Sequence, residues 1–441
     1  MSWSISRLSL KTGLFCALLA VPALAQDSPV LSAADSDPNK MGWMVGSPPP
    51  EDKIIRVDDP DAYSFPKLRW TVCHFRQLMP TVNVNRGLGD PVPLPEDLDP
   101  AIDDITFTPL GADTTMTWAQ SLQANYSDGV IVMHDGVVVY KSYSGCLTDL
   151  GVHALMSVTK SFTGLMGEML VAEGKLDENA TVGSIVPELA QSAFGDATVR
   201  QVLDMTTALD YSEDYSDPNA DVWTYSAAGN PLPKPADYTG PRTYFQYLQT
   251  VRKSGEHGEA FGYRTVNSDV MGWIIARVTG KPVNQVLSER IWSQMGADLS
   301  AYYTVDSIGT PFAGGGLNTA LTDLARIGQL MLDDGSFNGK QLVPQAAIAS
   351  IRAGGSPEAF AKAGYTLLKG WSYRGMWWHS NNAHGAYMAR GVHGQSIYVD
   401  PEARMVIARF SSHPQTSNAA NDPTSLPAFE ALGNYFADKA P

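Results

Sequence analysis

Two strand pairs near opposite ends of the chain constrain its fold more than any other feature. The first is residues 129–133 and 137–141, two β-branched runs on either side of His134-Asp135-Gly136, a tight-turn sequence. The second is residues 395–399 and 405–410, joined by a turn at Asp400-Pro401-Glu402-Ala403. Apolar residues at helical spacing fill much of the chain between them, at residues 199–205, 243–252, 268–279, 284–296, 322–334 and 343–352. A helix is also read at 117–126 and a last one at 426–437, whereas 211–233 reads as a polar, aromatic loop. Strands at both ends with helices between them predict an α+β fold. One antiparallel sheet is built from both chain ends, with flanking helices and an inserted, mostly helical region at about 175–300.

With 441 residues, 44% of them hydrophobic, the chain can bury a large core. The net charge of −15 and the lack of a Lys/Arg cluster argue against a nucleic-acid partner. Arg7 and Lys11 precede an apolar run at 13–24 that is too short to span a bilayer, and Ala23-Leu24-Ala25 is a small-x-small cleavage pattern. This reads as a signal peptide over 1–25 and predicts a periplasmic or secreted protein, with no membrane association after cleavage. Cys16 lies inside the apolar run and lacks the small residues that precede a lipidated cysteine. Cleavage leaves Cys73 and Cys146, either as one disulfide or as two buried thiols. Residues 26–110 are rich in Pro, Asp and Gly, with an aromatic patch at 65–75 that includes Trp70. They read as an extended arm packed on a main domain at 111–441.

The chemistry is concentrated at Ser157-Val158-Thr159-Lys160, at the head of an apolar run that Gly174 closes. Positions i and i+3 share a helix face, so the Lys160 amine can reach the Ser157 hydroxyl and accept its proton or support a second base. A helix start also offers free N–H groups where negative charge develops. The eight histidines do not pair at metal-ligand spacing, so neither a metal nor another cofactor is expected. No Gly-x-Ser-x-Gly elbow is present. Gly314-Gly315-Gly316 marks a tight turn or close backbone approach. His393 is a candidate proton carrier or a hydrogen-bonded structural residue, and Trp377 and Trp378 are candidates to line an acyl pocket.

Several blocks in order resemble the serine β-lactamase and penicillin-binding-protein superfamily, in the branch of 6-aminohexanoate-dimer hydrolases and family VIII-type esterases. Ser157-Val158-Thr159-Lys160 matches the nucleophile motif. Tyr263-Arg264-Thr265 matches the second motif, with Thr265 where Asn is usual, and Gly391-Val392-His393-Gly394-Gln395 resembles the third. The resemblance implies a β-lactamase/transpeptidase fold and an acyl-enzyme on Ser157, with Lys160 and Tyr263 moving the proton. The oxyanion would be held by the Ser157 and Val392 N–H groups. It also implies that Tyr263 acts as a phenolate whose pKa a cationic Lys160 lowers, and that Tyr215, in a loop of acidic residues, closes over substrate. Ala389 stands where β-lactam enzymes carry a cation, with Arg390 on the opposite side of the strand. The expected substrate is therefore a small ester or linear amide. A β-lactam or D-alanyl-D-alanine substrate, or a non-catalytic sensor, is the alternative. Oligomeric state stays open.

Overall fold

The computed structural model describes residues 30–439, so the signal peptide read at 1–25 lies outside the described residues. The first hairpin is β1 (Ser127–His134) and β2 (Val137–Tyr143). Its turn residues Asp135 and Gly136 have φ of 48° and 80°, the left-handed geometry that Asp-Gly accommodates. Toward the other end lie β3 (Ser372–Arg374), β4 (Trp377–His379), β5 (Tyr387–Gly391), β6 (Gln395–Asp400) and β7 (Met405–Ser411). They form one seven-stranded antiparallel sheet in the order β3-β4-β5-β6-β7-β1-β2. The two chain ends meet where β7 pairs with β1, Ile407 opposite Val132.

Strands β6 and β7 are buried at every position, because both faces of the sheet are covered. Helix α3 (Leu321–Leu332) packs on β1, β6 and β7. Gly328 permits this approach, since a Cβ there would lie 2.2 Å from Val406 Cγ1. Helix α4 (Asp422–Ala437) sets Phe429 against Tyr398 and Trp118. Helix α1 (Val158–Ala172) is buried at every residue from Val158 to Leu170. It lies between β5, helix α2 (Val266–Thr279) and the helix Gln345–Arg352. A Cβ on Gly164 would stand 2.1 Å from Gly375 O, so only glycine allows this contact. The architecture is the α+β sandwich read from the sequence.

Several elements differ from that reading. A second, four-stranded sheet joins Thr81–Val84, Ala301–Thr304, Leu317–Thr319 and His153–Ala154. Strands this short carry too few residues to show a period. Residues Asp221–Gly229 form a helix inside the stretch read as a loop. The helix read at 243–252 ends at Leu248, and Arg252–Lys253 pairs with Leu209–Asp210 instead. Helix α4 starts earlier than read and runs through Pro427.

The segment before residue 110 is tied to the rest by contacts of different kinds, among them a disulfide, a strand pairing and a buried ion pair. Cys73 and Cys146 form a disulfide with Cα atoms 6.0 Å apart. Thr81–Val84 pairs with Ala301–Thr304. Buried Arg69 pairs with buried Asp128 at 3.1 Å, and the second Asp128 oxygen lies 3.3 Å from His153 Nε2. Among the described residues no helix is long and apolar enough to cross a membrane.

Candidate active site

The site forms where strand His153–Ala154 turns into α1. Met156 carries the turn with φ of 47°, a strained value for a side chain with a Cβ. Ser157 follows as the residue capping α1, half-buried and facing a cavity of about 460 Å³. One helical turn on, Lys160 Nζ lies 2.9 Å from Ser157 Oγ and donates to Gly314 O at 2.6 Å. Lys160 is fully enclosed. Burial disfavours its charged form and brings its pKa down to about 8, while Glu213 and Asp269 act in the other direction.

The Gly314 carbonyl is placed by a close approach of the kind read from the three glycines. A Cβ on Gly314 would lie 2.5 Å from Thr265 Cγ2 and 2.9 Å from Asp269 Oδ2. Asp269, on α2, accepts the Ala313 N–H at 2.9 Å and a hydrogen bond from the Tyr225 hydroxyl. Burial pushes its carboxyl up to about 7. Neither Asp269 nor Tyr225 was singled out from the sequence. Asp269 lies six residues beyond Tyr263, and Tyr225 lies in the helix that was read as a loop.

Tyr263 sits at the start of the segment leading into α2 and lines the same cavity as Ser157. Its ring centroid is 5.2 Å from Lys160 Nζ. Burial raises its pKa, and the neighbouring Ser157 hydroxyl opposes this only in part. Burial thus disfavours the phenolate form of Tyr263 that the resemblance implies, and the same burial loosens the proton of Lys160.

On the other wall, β5 brings Gly391 against the nucleophile turn. A Cβ there would be 2.6 Å from Leu155 O and 3.1 Å from Ser157 N. Val392 follows and lines the cavity beside Ser157. Tyr215 and Trp378 also line it. The Tyr215 hydroxyl donates to Glu213 Oε1 at 3.0 Å. Glu213 also accepts the Thr265 N–H at 2.5 Å and the Thr265 hydroxyl. The threonine that replaces the usual Asn thus anchors a carboxylate at the cavity wall. The Trp378 ring lies tilted against that of Tyr263, with centroids 5.2 Å apart.

Three readings are corrected here. Trp377 does not line the cavity. It is fully buried, with Nε1 donating to Ser161 O at 3.2 Å, because neighbouring strand residues face opposite sides. His393 is also absent from the lining. It is buried, its Nδ1 lies 2.7 Å from the His413 carbonyl, and burial lowers its pKa to about 4, so it is a neutral structural residue. The third concerns β5. Ala389 faces the core, whereas Arg390 lines the cavity. Arg390 does lie on the opposite side of the strand from Ala389, as read, but that is the cavity side, so the strand presents a cation there.

Comparison with known proteins identifies the family. The beta-lactamase family profile matches residues 117–427. The chain belongs to the beta-lactamase family. A 6-aminohexanoate-dimer hydrolase of Paenarthrobacter ureafaciens is 36% identical over 353 residues, covering 79% of this chain and 86% of that protein. A solved structure from Bacillus anthracis, provisionally named as a 6-aminohexanoate-dimer hydrolase, superposes with a TM-score of 0.79 at 28% identity. The match covers 90% of this chain and all of that one. A D-stereospecific amidohydrolase from Streptomyces sp. has a TM-score of 0.51 at 19% identity, covering 69% and 97% of the two chains, and shares the fold. This member of the beta-lactamase family is a serine hydrolase, and the family match leaves the segment before residue 117 outside it.

Proposed function

We propose that the chain is an exported serine hydrolase that cleaves small carboxylic esters or linear amides through an acyl-enzyme on Ser157. The observation that carries this reading is Lys160 Nζ at 2.9 Å from Ser157 Oγ, with the Tyr263 ring 5.2 Å from the same amine and lining one open cavity with Ser157. Lys160, with its pKa lowered toward neutrality, takes the Ser157 proton as Oγ attacks the carbonyl carbon. The Ser157 and Val392 N–H groups stabilise the oxyanion. Tyr263, as a phenol beside Lys160, relays the proton to the leaving oxygen or nitrogen. The C–O or C–N bond breaks, and an ester to Ser157 remains for water to hydrolyse. The apolar rings of Trp378, Tyr263 and Tyr365 along the cavity suit a hydrocarbon portion of the substrate. Neither a metal nor another cofactor has a part in these steps. Export rests on the basic start and small-x-small pattern of residues 1–25, and the disulfide is compatible with an oxidising compartment.

The test is Ser157→Ala assayed with p-nitrophenyl acetate and butyrate. The reading expects turnover to vanish, and turnover equal to the parent's would refute it. The second reading is hydrolysis of β-lactams, which the family match favours. Nitrocefin turnover well above that of the simple esters would select it.

A further inference from the structure

Resting on that reading, we propose that Asp269 is a positioning residue for Lys160: it fixes the turn whose carbonyl holds the amine against Ser157, and its charge sets the pH at which that amine is free. Asp269 is absent from the lining of the cavity that Ser157 faces, so its part is not contact with substrate. Its Oδ1 accepts the Ala313 N–H at 2.9 Å, and the next residue, Gly314, accepts a hydrogen bond from Lys160 Nζ at 2.6 Å. Without that carboxylate the Ala313 N–H would be buried with no acceptor. The turn is also held from α1. The Thr163 hydroxyl donates to Ala313 O at 2.9 Å, and the Leu317 N–H donates to Thr159 Oγ1 at 3.1 Å. On the α2 side the backbones come close as well, since a Cβ on Gly272 would stand 2.9 Å from Ala313 Cβ. The two helices therefore grip one turn from two sides, and Asp269 is the polar contact that α2 makes with it.

The charges around the amine give Asp269 its second effect. Lys160 faces Ser157 on its own helix, Tyr263 from the segment before α2, Glu213 from the loop at 211–217, and Asp269 from α2. Glu213 stands at the cavity wall, with its oxygens engaged by Thr265 and Tyr215. Asp269 is 5% exposed and set among phenols: Tyr225 donates to it, and Tyr211, Tyr244 and Tyr303 face it. Its hydrogen-bond donors, the Tyr225 hydroxyl and the Ala313 N–H, are both neutral, so its charge is not cancelled by a paired cation at contact distance. In a poorly polarisable interior that charge is felt strongly by the neighbouring amine and favours its ammonium form. Desolvation pushes Lys160 toward the neutral amine, and Glu213 and Asp269 oppose it. The balance leaves an amine that is free near neutral pH and still basic enough to take the serine proton.

The test is the pH profile of kcat/KM for p-nitrophenyl butyrate in Asp269→Asn. This variant keeps the shape of the side chain and an oxygen for the Ala313 N–H but removes the charge. The quantity read is the midpoint of the rise with pH, which does not depend on how much enzyme is folded. With the charge gone the ammonium form is less favoured, so the midpoint should move to lower pH, by about one unit. A residue that only packed would change the height of the plateau and leave the midpoint where it was. Tyr225→Phe is the second variant. It keeps the carboxyl but removes its phenol donor, so Asp269 holds its proton to higher pH and the midpoint should again move down, by a smaller amount. It decides the matter if Asp269→Asn does not fold. A midpoint that stays at the parent's value or moves up in the deciding variant overturns the proposal while leaving the hydrolase reading intact, and so does a parent profile with no rise. Failure of the parent to turn over the ester at any pH would instead overturn the hydrolase reading.

Discussion

Lys160 Nζ lies 2.9 Å from Ser157 Oγ, one turn along a helix that is buried from its first residue. Because that burial brings the amine to about 8, its protonation state controls the nucleophile. The pKa is lowered, so the neutral amine increases as pH rises through 8. Below that value kcat/KM should climb about tenfold per pH unit, and above it the curve should level. Profiles measured with p-nitrophenyl butyrate check this, and a flat profile from pH 6 to 9 would remove Lys160 as the base. The folded-state pKa lies below the usual lysine value of 10.5. Protons are therefore bound preferentially by the unfolded chain between about 8 and 10.5, and the contribution of Lys160 to stability grows with pH over that window.

Tyr263 tests the other half of the proton path. As a phenol beside Ser157 it matters most where the leaving group needs a proton. Tyr263→Phe should lower turnover of alkyl esters and amides by ~10²–10⁴, and that of p-nitrophenyl esters by much less, because nitrophenolate leaves unprotonated. Equal losses across this leaving-group series would assign Tyr263 to positioning alone.

Gly391 bears on the oxyanion site. The space for a Cβ is occupied by Leu155 O at 2.6 Å, with Ser157 N at 3.1 Å. Gly391→Ala should push β5 away from the nucleophile turn and carry the Val392 N–H with it. The expected loss is ~10²–10³ in kcat, the usual effect of losing one oxyanion donor. A kcat within threefold of the parent would show that this N–H is not used.

The elements legible in the sequence were those with strong local signals. The β1–β2 hairpin is marked by Asp135-Gly136 between β-branched runs, and α1 by its unbroken apolar stretch. Ser157, Lys160, Tyr263 and Val392 are legible through motif order, and the structure brings Ser157, Tyr263 and Val392 to one cavity with Lys160 buried against Ser157. What was not legible depended on which face of a strand meets which neighbour. Alternation places Ala389 and Arg390 on opposite sides of β5, but only the packed structure shows that Arg390 has the cavity side. The same ambiguity put Trp377 with Trp378, although only Trp378 reaches the cavity. Glu213 looked like one of several solvated acids, because its partner Thr265 is distant in sequence.

That division between the two tryptophans predicts different failures. Trp377 is fully buried beneath α1 and donates to the Ser161 carbonyl. Trp377→Ala should destabilise the fold by about 3–5 kcal/mol, seen as a lower midpoint in urea, with KM of the surviving enzyme little changed. Trp378 forms cavity wall and contacts Tyr263. Trp378→Ala should raise KM for butyrate more than for acetate, since the longer acyl chain covers more of the ring. If Trp377→Ala shifted KM and Trp378→Ala did not, the assignment of the two faces would be reversed.

The Cys73–Cys146 disulfide closes a loop with a sequence separation of 73 residues. On the chain-entropy account, such a cross-link stabilises the fold by about 4 kcal/mol, chiefly by restricting the unfolded chain. The double substitution Cys73→Ser/Cys146→Ser should therefore lower the unfolding free energy by roughly this amount. The bridge lies close to His153, which pairs through Asp128 with Arg69 of the preceding segment. Loosening that segment should reach the strand His153–Ala154 that leads into Ser157. Under mild denaturant the double variant is expected to lose esterase activity before its global unfolding transition, whereas the parent loses both together. Coincident loss in the double variant would show that Arg69, Asp128 and the Thr81–Val84 strand hold the segment in place without the bridge.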